Sequence, residues 1–221
     1  MKSYKIAAIY TGVALVKPLS DMLKEILPEC EFMNILDDSM IADIIKNNGL
    51  VKSVTRRLYA YYEAAACAGA DLILNTCSSI GDAVAGAREF IPVPIVRIDE
   101  AMCREAVTKA GKIAVLGTVP TTLAPTIRLL EKCAAEAGKQ ISPVTAVAEG
   151  AFQAITAGDA AAHDAILAET AKKIASSCEI ILLAQGSMAR MEEPLKKLTG
   201  LPVISSPRPG IQMVRRILED M

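Results

Sequence analysis

The sequence predicts an α/β protein made of two pseudo-symmetric, four-stranded parallel-sheet halves. Three observations lead there. Short apolar runs alternate with longer stretches of helical period, the pattern of βα units. Strand-like strings recur in the same order at a spacing of 107 to 108 positions. The composition is that of a globular chain: 221 residues, 52% hydrophobic and 22% charged, enough for one large domain or two small ones.

The candidate strands fall at 5–10, 31–36, 71–75, 94–98, 112–117, 141–148, 179–183 and 202–205. Helical stretches lie between them. In the stretch 50–69, Leu50, Val54, Leu58, Tyr61 and Ala65 are spaced 4, 4, 3 and 4 apart, and Gly69 stops the helix. The repeat is read from three matches. Lys5-Ile6-Ala7 returns as Lys112-Ile113-Ala114 after 107 positions, with Thr11 on Thr118 and Pro18 on Pro125. Asp71-Leu72-Ile73-Leu74 returns as Glu179-Ile180-Ile181-Leu182, and Pro94-Ile95-Val96 as Pro202-Val203-Ile204, both after 108. The halves are therefore Rossmann-like units over 1–100 and 101–206, with a seam near 99–111. A last helix, about 209–221, follows the final strand. The segment 207–221 is open to packing on either half, back onto the first included.

Composition also excludes. Lys and Arg total 24 against 25 Asp and Glu, and there is no Trp among 4% aromatics. Neither a basic surface nor a base-stacking platform for nucleic acid is expected. The apolar start, Ile6 to Val16, is interrupted by Tyr10, Thr11 and Gly12 and recurs in mid-chain, so it reads as strand and loop rather than leader. No run approaches the roughly 18 apolar residues of a membrane span, so no membrane partner is expected. Cys30, Cys67, Cys77, Cys103, Cys133 and Cys178 form no CxxC pair, and reduced thiols in a cytoplasm are the simplest expectation. With His163 the only histidine, no metal site is expected. Neither GxGxxG nor GxxxxGK[ST] occurs, so no nucleotide cofactor is predicted.

Ligands of open parallel sheets sit beyond the carboxyl ends of the strands. Two facing halves would enclose a cleft, and the active site is expected there. After strand 71–75 comes Thr76-Cys77-Ser78-Ser79-Ile80-Gly81-Asp82. A cysteine at a strand-to-helix turn lies near unpaired N–H groups, which favour thiolate, so a lowered Cys77 pKa is expected. Ser78 and Ser79 are natural N-caps, and the same amides could hold a carboxylate. The plainer alternative is a small half-buried residue beside a serine cap.

The matching turn is Ala184-Gln185-Gly186-Ser187-Met188-Ala189-Arg190, where Gln185 falls on Cys77 and Ser187 on Ser79. Gln185 can orient a substrate but cannot carry a proton. The remaining strand ends supply Thr11, Asp37-Asp38-Ser39, Asp99-Glu100, Thr118, Thr121, Thr122, Glu149 and Ser205-Ser206-Pro207-Arg208. The threonines are caps or anion ligands. Asp37 and Asp38 read as a cap and a solvated partner. Arg208 is either a carboxylate clamp or a surface ion pair. His163 reads as structural.

The Asn75-Thr76-Cys77-Ser78-Ser79 turn and the Leu183–Ala189 segment resemble the two signatures of the aspartate/glutamate/hydantoin racemase superfamily, and the resemblance runs over essentially the whole chain. Leu36-Asp37-Asp38-Ser39, Val54-Thr55-Arg56-Arg57, Arg97-Ile98-Asp99-Glu100, Glu149-Gly150-Ala151-Phe152 and Ser206-Pro207-Arg208 are similar to an uncharacterised racemase-like branch of it. The resemblance implies cofactor-independent chemistry at a carbon beside a carboxylate. In two-cysteine members one thiolate removes the α-proton and the opposing thiol returns another, while backbone amides and Ser/Thr hydroxyls hold the carboxylate. Cys77 matches the first cysteine; Gln185 stands where the second would be. The superfamily also contains single-cysteine decarboxylases and isomerases whose cysteine adds to the substrate.

The resulting expectation is a racemase or isomerase of a small amino acid or related acid, with Cys77 as acid/base or nucleophile. Thr11, Thr76, Ser78, Ser79, Thr118, Thr121, Thr122, Gln185, Gly186, Ser187 and Arg208 are its expected substrate ligands. Glu149, Asp37 and His163 are candidates for a second acid/base group. A lyase decarboxylating a small diacid with Cys77 alone, and a non-catalytic binder of a small acid, are the alternatives. A homodimer is the expected assembly.

Overall fold

The computed structural model describes residues 3–221. Its order is β1 (Lys5–Tyr10), α1 (Val16–Ile26), β2 (Glu31–Leu36), α2 (Ser39–Lys46), α3 (Lys52–Cys67), β3 (Leu72–Asn75), α4 (Ala83–Ala87) and β4 (Ile95–Arg97). There follow α5 (Glu100–Lys109), β5 (Lys112–Gly117), α6 (Pro120–Glu136), β6 (Ser142–Val147), α7 (Ala151–Thr156) and α8 (Ala160–Ile174). The chain ends with β7 (Ile180–Leu183), α9 (Glu192–Thr199), β8 (Val203–Ser205) and α10 (Pro207–Glu219). All eight predicted strands are present. β1, β2 and β5 have the predicted bounds, and the others are shorter by one to two residues at one or both ends.

The strands form two four-stranded parallel sheets, ordered β2-β1-β3-β4 and β6-β5-β7-β8. The chain accordingly divides into two compact units, one running to Glu100 and joined by Pro207–Met221, the other Ala101–Ser206. The central strands β3 and β7 are buried throughout, which explains why Leu72–Leu74 and Ile180–Leu183 read as apolar runs rather than alternating ones.

Alternate strand residues feed opposite faces of each sheet. In the first unit Ala7, Ile9 and Ile73 pack with Met40, Leu58 and Val84 of α2–α4. Ile6, Ala8, Leu72 and Leu74 pack with Leu19 and Leu23 of α1 and with Ile211, Val214 and Leu218 of α10. In the second unit Ile113, Val115 and Leu182 pack with α5 and α6, through Met102, Ala106 and Leu130. Ala114, Leu116 and Ile181 pack with Leu167 of α8 and Leu195 of α9. Thus α10 has in the first unit the role that α5 has in the second. Each such buried aliphatic side chain contributes roughly 1.5–3 kcal/mol. Gly210 lets α10 seat on the end of β4: a Cβ there would lie 2.5 Å from the Ile98 carbonyl oxygen.

Candidate active site

The turn after β3 is built from its buried polar residues. Asn75 accepts a hydrogen bond from the Tyr62 hydroxyl of α3 at 2.8 Å and donates to the Cys77 carbonyl at 3.0 Å. Thr76 donates from its hydroxyl to the Ile9 carbonyl at 2.8 Å, which ties the turn to the end of β1. Cys77 is thereby held in extended backbone, φ −121° and ψ 122°, just before a 3-10 turn over Ser78–Ile80. Its side chain is half-buried, while Thr11, Thr76, Ser78 and Ser79 are buried. Gly81 closes the segment under the Arg97 guanidinium, where a Cβ would lie 2.4 Å away. Arg97 is itself held by a bidentate pair with Asp99, at 3.0 and 2.9 Å.

The thiol is not the activated one expected. Burial pushes the Cys77 pKa above its ordinary value and outweighs what favours the thiolate: the Thr11 hydroxyl, the Ser79 and Ile80 amides and the Ser79 hydroxyl. The expectation of a lowered pKa counted the amides and left out the desolvation. A three-residue 3-10 turn also supplies little of the dipole that a full helix would. Nor do the serines cap: Cys77 holds the N-cap position, with no side-chain capping bond. Ser79 Oγ is buried without a hydrogen bond of good geometry, so it remains available as a donor.

The equivalent turn of the second unit has different chemistry. Thr118, at the end of β5, donates from its backbone N–H at 2.6 Å and its hydroxyl at 2.9 Å to the Gln185 side-chain oxygen. Gln185 has the same extended backbone, φ −133° and ψ 133°, before the 3-10 segment Gly186–Met191. Gly186 and Ser187 are half-buried. Thr122 donates to the Val119 carbonyl at 2.9 Å, whereas the Thr121 hydroxyl oxygen is buried without a partner. Ser205 donates from both N–H and hydroxyl to Glu192, and the Ser206 hydroxyl, missing from the predicted ligands, is also buried and unpartnered.

The structure thus sets Thr11 and Ser79 against the Cys77 sulfur, with Thr76 and Ser78 beside it in the chain, and Thr118 on the Gln185 side chain, with Gly186 and Ser187 following it; Thr121 and Thr122 lie in the first turn of α6. Arg208 stands apart, in an exposed pair with Glu25 at 3.0 Å. The candidates for a second acid/base group are engaged elsewhere or exposed. Burial would raise the Asp37 pKa, but Ser39, Tyr61 and Arg57 outweigh it, so the carboxylate stays below its usual range. His163 is buried, with Nδ1 2.8 Å from Asp164, and Glu149 is exposed. The brace of the turn is not foreseen by the sequence reading: Asn75 enters it only as part of the signature string, and Tyr62 is not singled out. The available signal was Tyr62 falling four residues after Leu58 on the buried face of α3.

Among the described residues no group of three or more His, Cys, Asp and Glu side chains could hold a metal ion, and no helix is long and apolar enough to cross a membrane. No curated protein sequence matches the chain. Solved structures do, at low identity. A glutamate racemase isoform from Bacillus anthracis is 17% identical, with a TM-score of 0.82 over 100% of this chain and 83% of its own. Allantoin racemase from Klebsiella pneumoniae is 19% identical, with a TM-score of 0.74 over 98% of this chain and 88% of its own. Aspartate racemase from Picrophilus torridus is 13% identical, with a TM-score of 0.74 over 98% and 95%. The Asp/Glu/hydantoin racemase family model matches residues 8–214, nearly the whole chain. With two four-stranded parallel units, paired turns at equivalent strand ends and that match, the chain belongs to the Asp/Glu/hydantoin racemase family, a family of isomerases.

Proposed function

We propose that the protein is a cofactor-independent isomerase that moves a proton at a carbon beside the carboxylate of a small amino acid or related acid, with Cys77 as the proton-transferring thiol. The observation that carries this reading is the setting of the sulfur. The residue is half-buried, and the Thr11 hydroxyl, the Ser79 hydroxyl and the Ser79 and Ile80 amides favour its thiolate. These donors favour the thiolate when the proton leaves. The unpartnered Ser79 hydroxyl can instead serve the negative charge that builds on a substrate carboxylate as the α-carbon ionises. Burial keeps the resting group a thiol; once its proton has passed to solvent the thiolate takes the α-proton, and the thiol so formed returns a proton to that carbon.

A second reading draws on Gln185. Its side-chain oxygen is saturated by Thr118, so it is a fixed amide that cannot move a proton. A lyase needs only one thiol: the C–C bond to one carboxylate of a diacid breaks, CO₂ leaves, the electron pair stays as an enediolate, and Cys77 delivers a proton to that carbon.

Proton NMR in D₂O separates the two, with a panel of amino acids, hydantoins, hydroxy acids and diacids, comparing wild type and Cys77→Ser. Deuterium entering one α-position, and lost in the variant, supports the isomerase. Product lacking a carboxyl group supports the lyase. Silence across the panel, with Cys77 also inert to iodoacetamide, sinks both and leaves a binding protein.

A further inference from the structure

The buried charges of the first unit are gathered at one strand end. Among the described residues of the chain, the buried Arg, Asp and Glu side chains are Arg97, Asp99 and Glu100, all at the close of β4 or just after it. An ion pair taken out of water loses in hydration about what it gains in attraction, so stability alone accounts poorly for it. Its placement accounts for it better. Arg97 is the register partner of Asn75 on β3, and the two side chains leave the sheet on the same face. Asn75 holds the Cys77 turn at its start, by the Cys77 carbonyl, and Arg97 meets the same turn at its end, at Gly81.

Gly81 is required here for room, not for conformation. Its backbone is ordinary right-handed helical, φ −60° and ψ −31°. A Cβ added there would overlap Nε, Cζ and Nη2 of Arg97. The guanidinium cannot swing aside cheaply, because it is buried and donates to both Asp99 oxygens, at 3.0 and 2.9 Å. It is a fixed plane against the residue that follows Ser79 and Ile80. Gly81 in turn donates its N–H to the Ser78 carbonyl at 3.0 Å. The Ser79 and Ile80 amides, which favour a thiolate on Cys77, therefore sit in a short turn fixed at both ends. The second unit lacks this arrangement. Ser205 stands where Arg97 would, as the register partner of Leu183, and donates from N–H and hydroxyl to the Glu192 carboxylate. The strand end beside the thiol turn carries a cation, and the one beside the amide turn engages a carboxylate.

We propose that Arg97, clamped by Asp99, is a positioning residue for the Cys77 thiolate: it fixes the Ser78–Gly81 segment so that the Ser79 and Ile80 amides aim at the sulfur. The inference rests on Cys77 being the reacting thiol, a reading that the loss of α-proton exchange in Cys77→Ser tests separately.

Alkylation by iodoacetamide reads the sulfur without a substrate, followed at the Cys77 peptide by mass spectrometry because the exposed Cys67 also reacts. Arg97→Met combined with Asp99→Asn removes the pair together, so that no buried charge is orphaned. The pH profile of Cys77 is expected to move up by about one unit, a tenfold loss of thiolate at a given pH. A merely loosened turn would move it down instead, toward the ordinary thiol, since burial is what raises it. Gly81→Ala keeps both charges and forces the guanidinium and the turn apart. Its profile is also expected to move up, and the same change should add little where Arg97 and Asp99 are already replaced. A profile that stays put or moves down in either variant, with the circular dichroism of wild type retained, overturns the proposal. So does an effect of Gly81→Ala that is as large without Arg97 as with it. Should the combined variant fail to fold, Gly81→Ala decides alone. If Cys77→Ser keeps its exchange, the proton-transfer reading fails, and the alkylation profiles still decide what Arg97 does for the sulfur.

Discussion

The two turns that follow β3 and β7 share a backbone and differ in what they can do. Both put an extended residue before a 3-10 segment, and both face a threonine from the end of the neighbouring central strand. In the first unit that threonine, Thr11, serves a sulfur that can gain and lose a proton. In the second, Thr118 spends its N–H and its hydroxyl on one amide oxygen, at 2.6 and 2.9 Å. Duplication has preserved the cradle and changed its occupant. On the proposed reading the second turn orients where the first reacts, since Gln185, unlike Cys77, cannot carry a proton.

The largest test of that asymmetry is the removal of the sulfur. Cys77→Ser keeps volume and hydrogen bonding but raises the proton affinity out of range, and α-proton exchange in D₂O should fall by about a thousandfold. Serine retaining more than a tenth of the rate would mean that the proton travels elsewhere. The converse is Gln185→Cys. It removes the fixed amide and gives the second turn the thiol that two-cysteine racemases have there. Racemisation, read by circular dichroism of the product, should rise at least about tenfold if a second proton carrier is what limits it. An unchanged rate would show that the two turns are not alternatives for one role.

A finer contrast lies in pH. Because burial holds the Cys77 pKa above its ordinary value, the thiolate population grows only as pH rises into the alkaline range, and alkylation by iodoacetamide should accelerate accordingly. Thr11→Val removes a donor that favours the thiolate, so the profile should move to still higher pH. A profile that moves down, or stays put, would show that Thr11 does not serve the sulfur.

Much of this was readable in the sequence, for a physical reason. Central parallel strands are buried on both faces, so β1, β3, β5 and β7 announce themselves as short apolar runs whatever surrounds them. The boundaries that shifted involve end residues with local business of their own. Asp71 accepts from the Lys5 N–H through its side chain, and the ring of Pro94 leaves no N–H to donate. What stayed hidden depended on distant partners. The loss of solvent that raises the Cys77 pKa comes from packing, not from its neighbours in sequence. Arg208 meets Glu25 across 183 positions, and α10 finds its place on the first unit through Gly210 and Ile98.

The smallest predicted effect separates the turns by what braces them. Position 75 of β3 corresponds to position 183 of β7, and the residues there are Asn75 and Leu183. Leu183 is plain core, packed with Leu116 and Met188, and its turn is braced from outside by Thr118. Asn75 instead links the Tyr62 hydroxyl to the Cys77 carbonyl. Tyr62→Phe keeps the aromatic packing in the core of α2–α4 and deletes only the donor, leaving the buried Asn75 oxygen unpaired. The loss should be about 1–2 kcal/mol in urea unfolding, since an orphaned buried acceptor costs more than the net worth of its hydrogen bond. Activity should fall only a few-fold and through kcat rather than KM, because the brace aims the sulfur without touching substrate. If unfolding is unchanged, Asn75 has found another donor and the first turn needs no brace that the second lacks. If stability falls and kcat does not, Tyr62 supports the fold alone, and the aim of Cys77 rests on Thr76 and its anchor on Ile9.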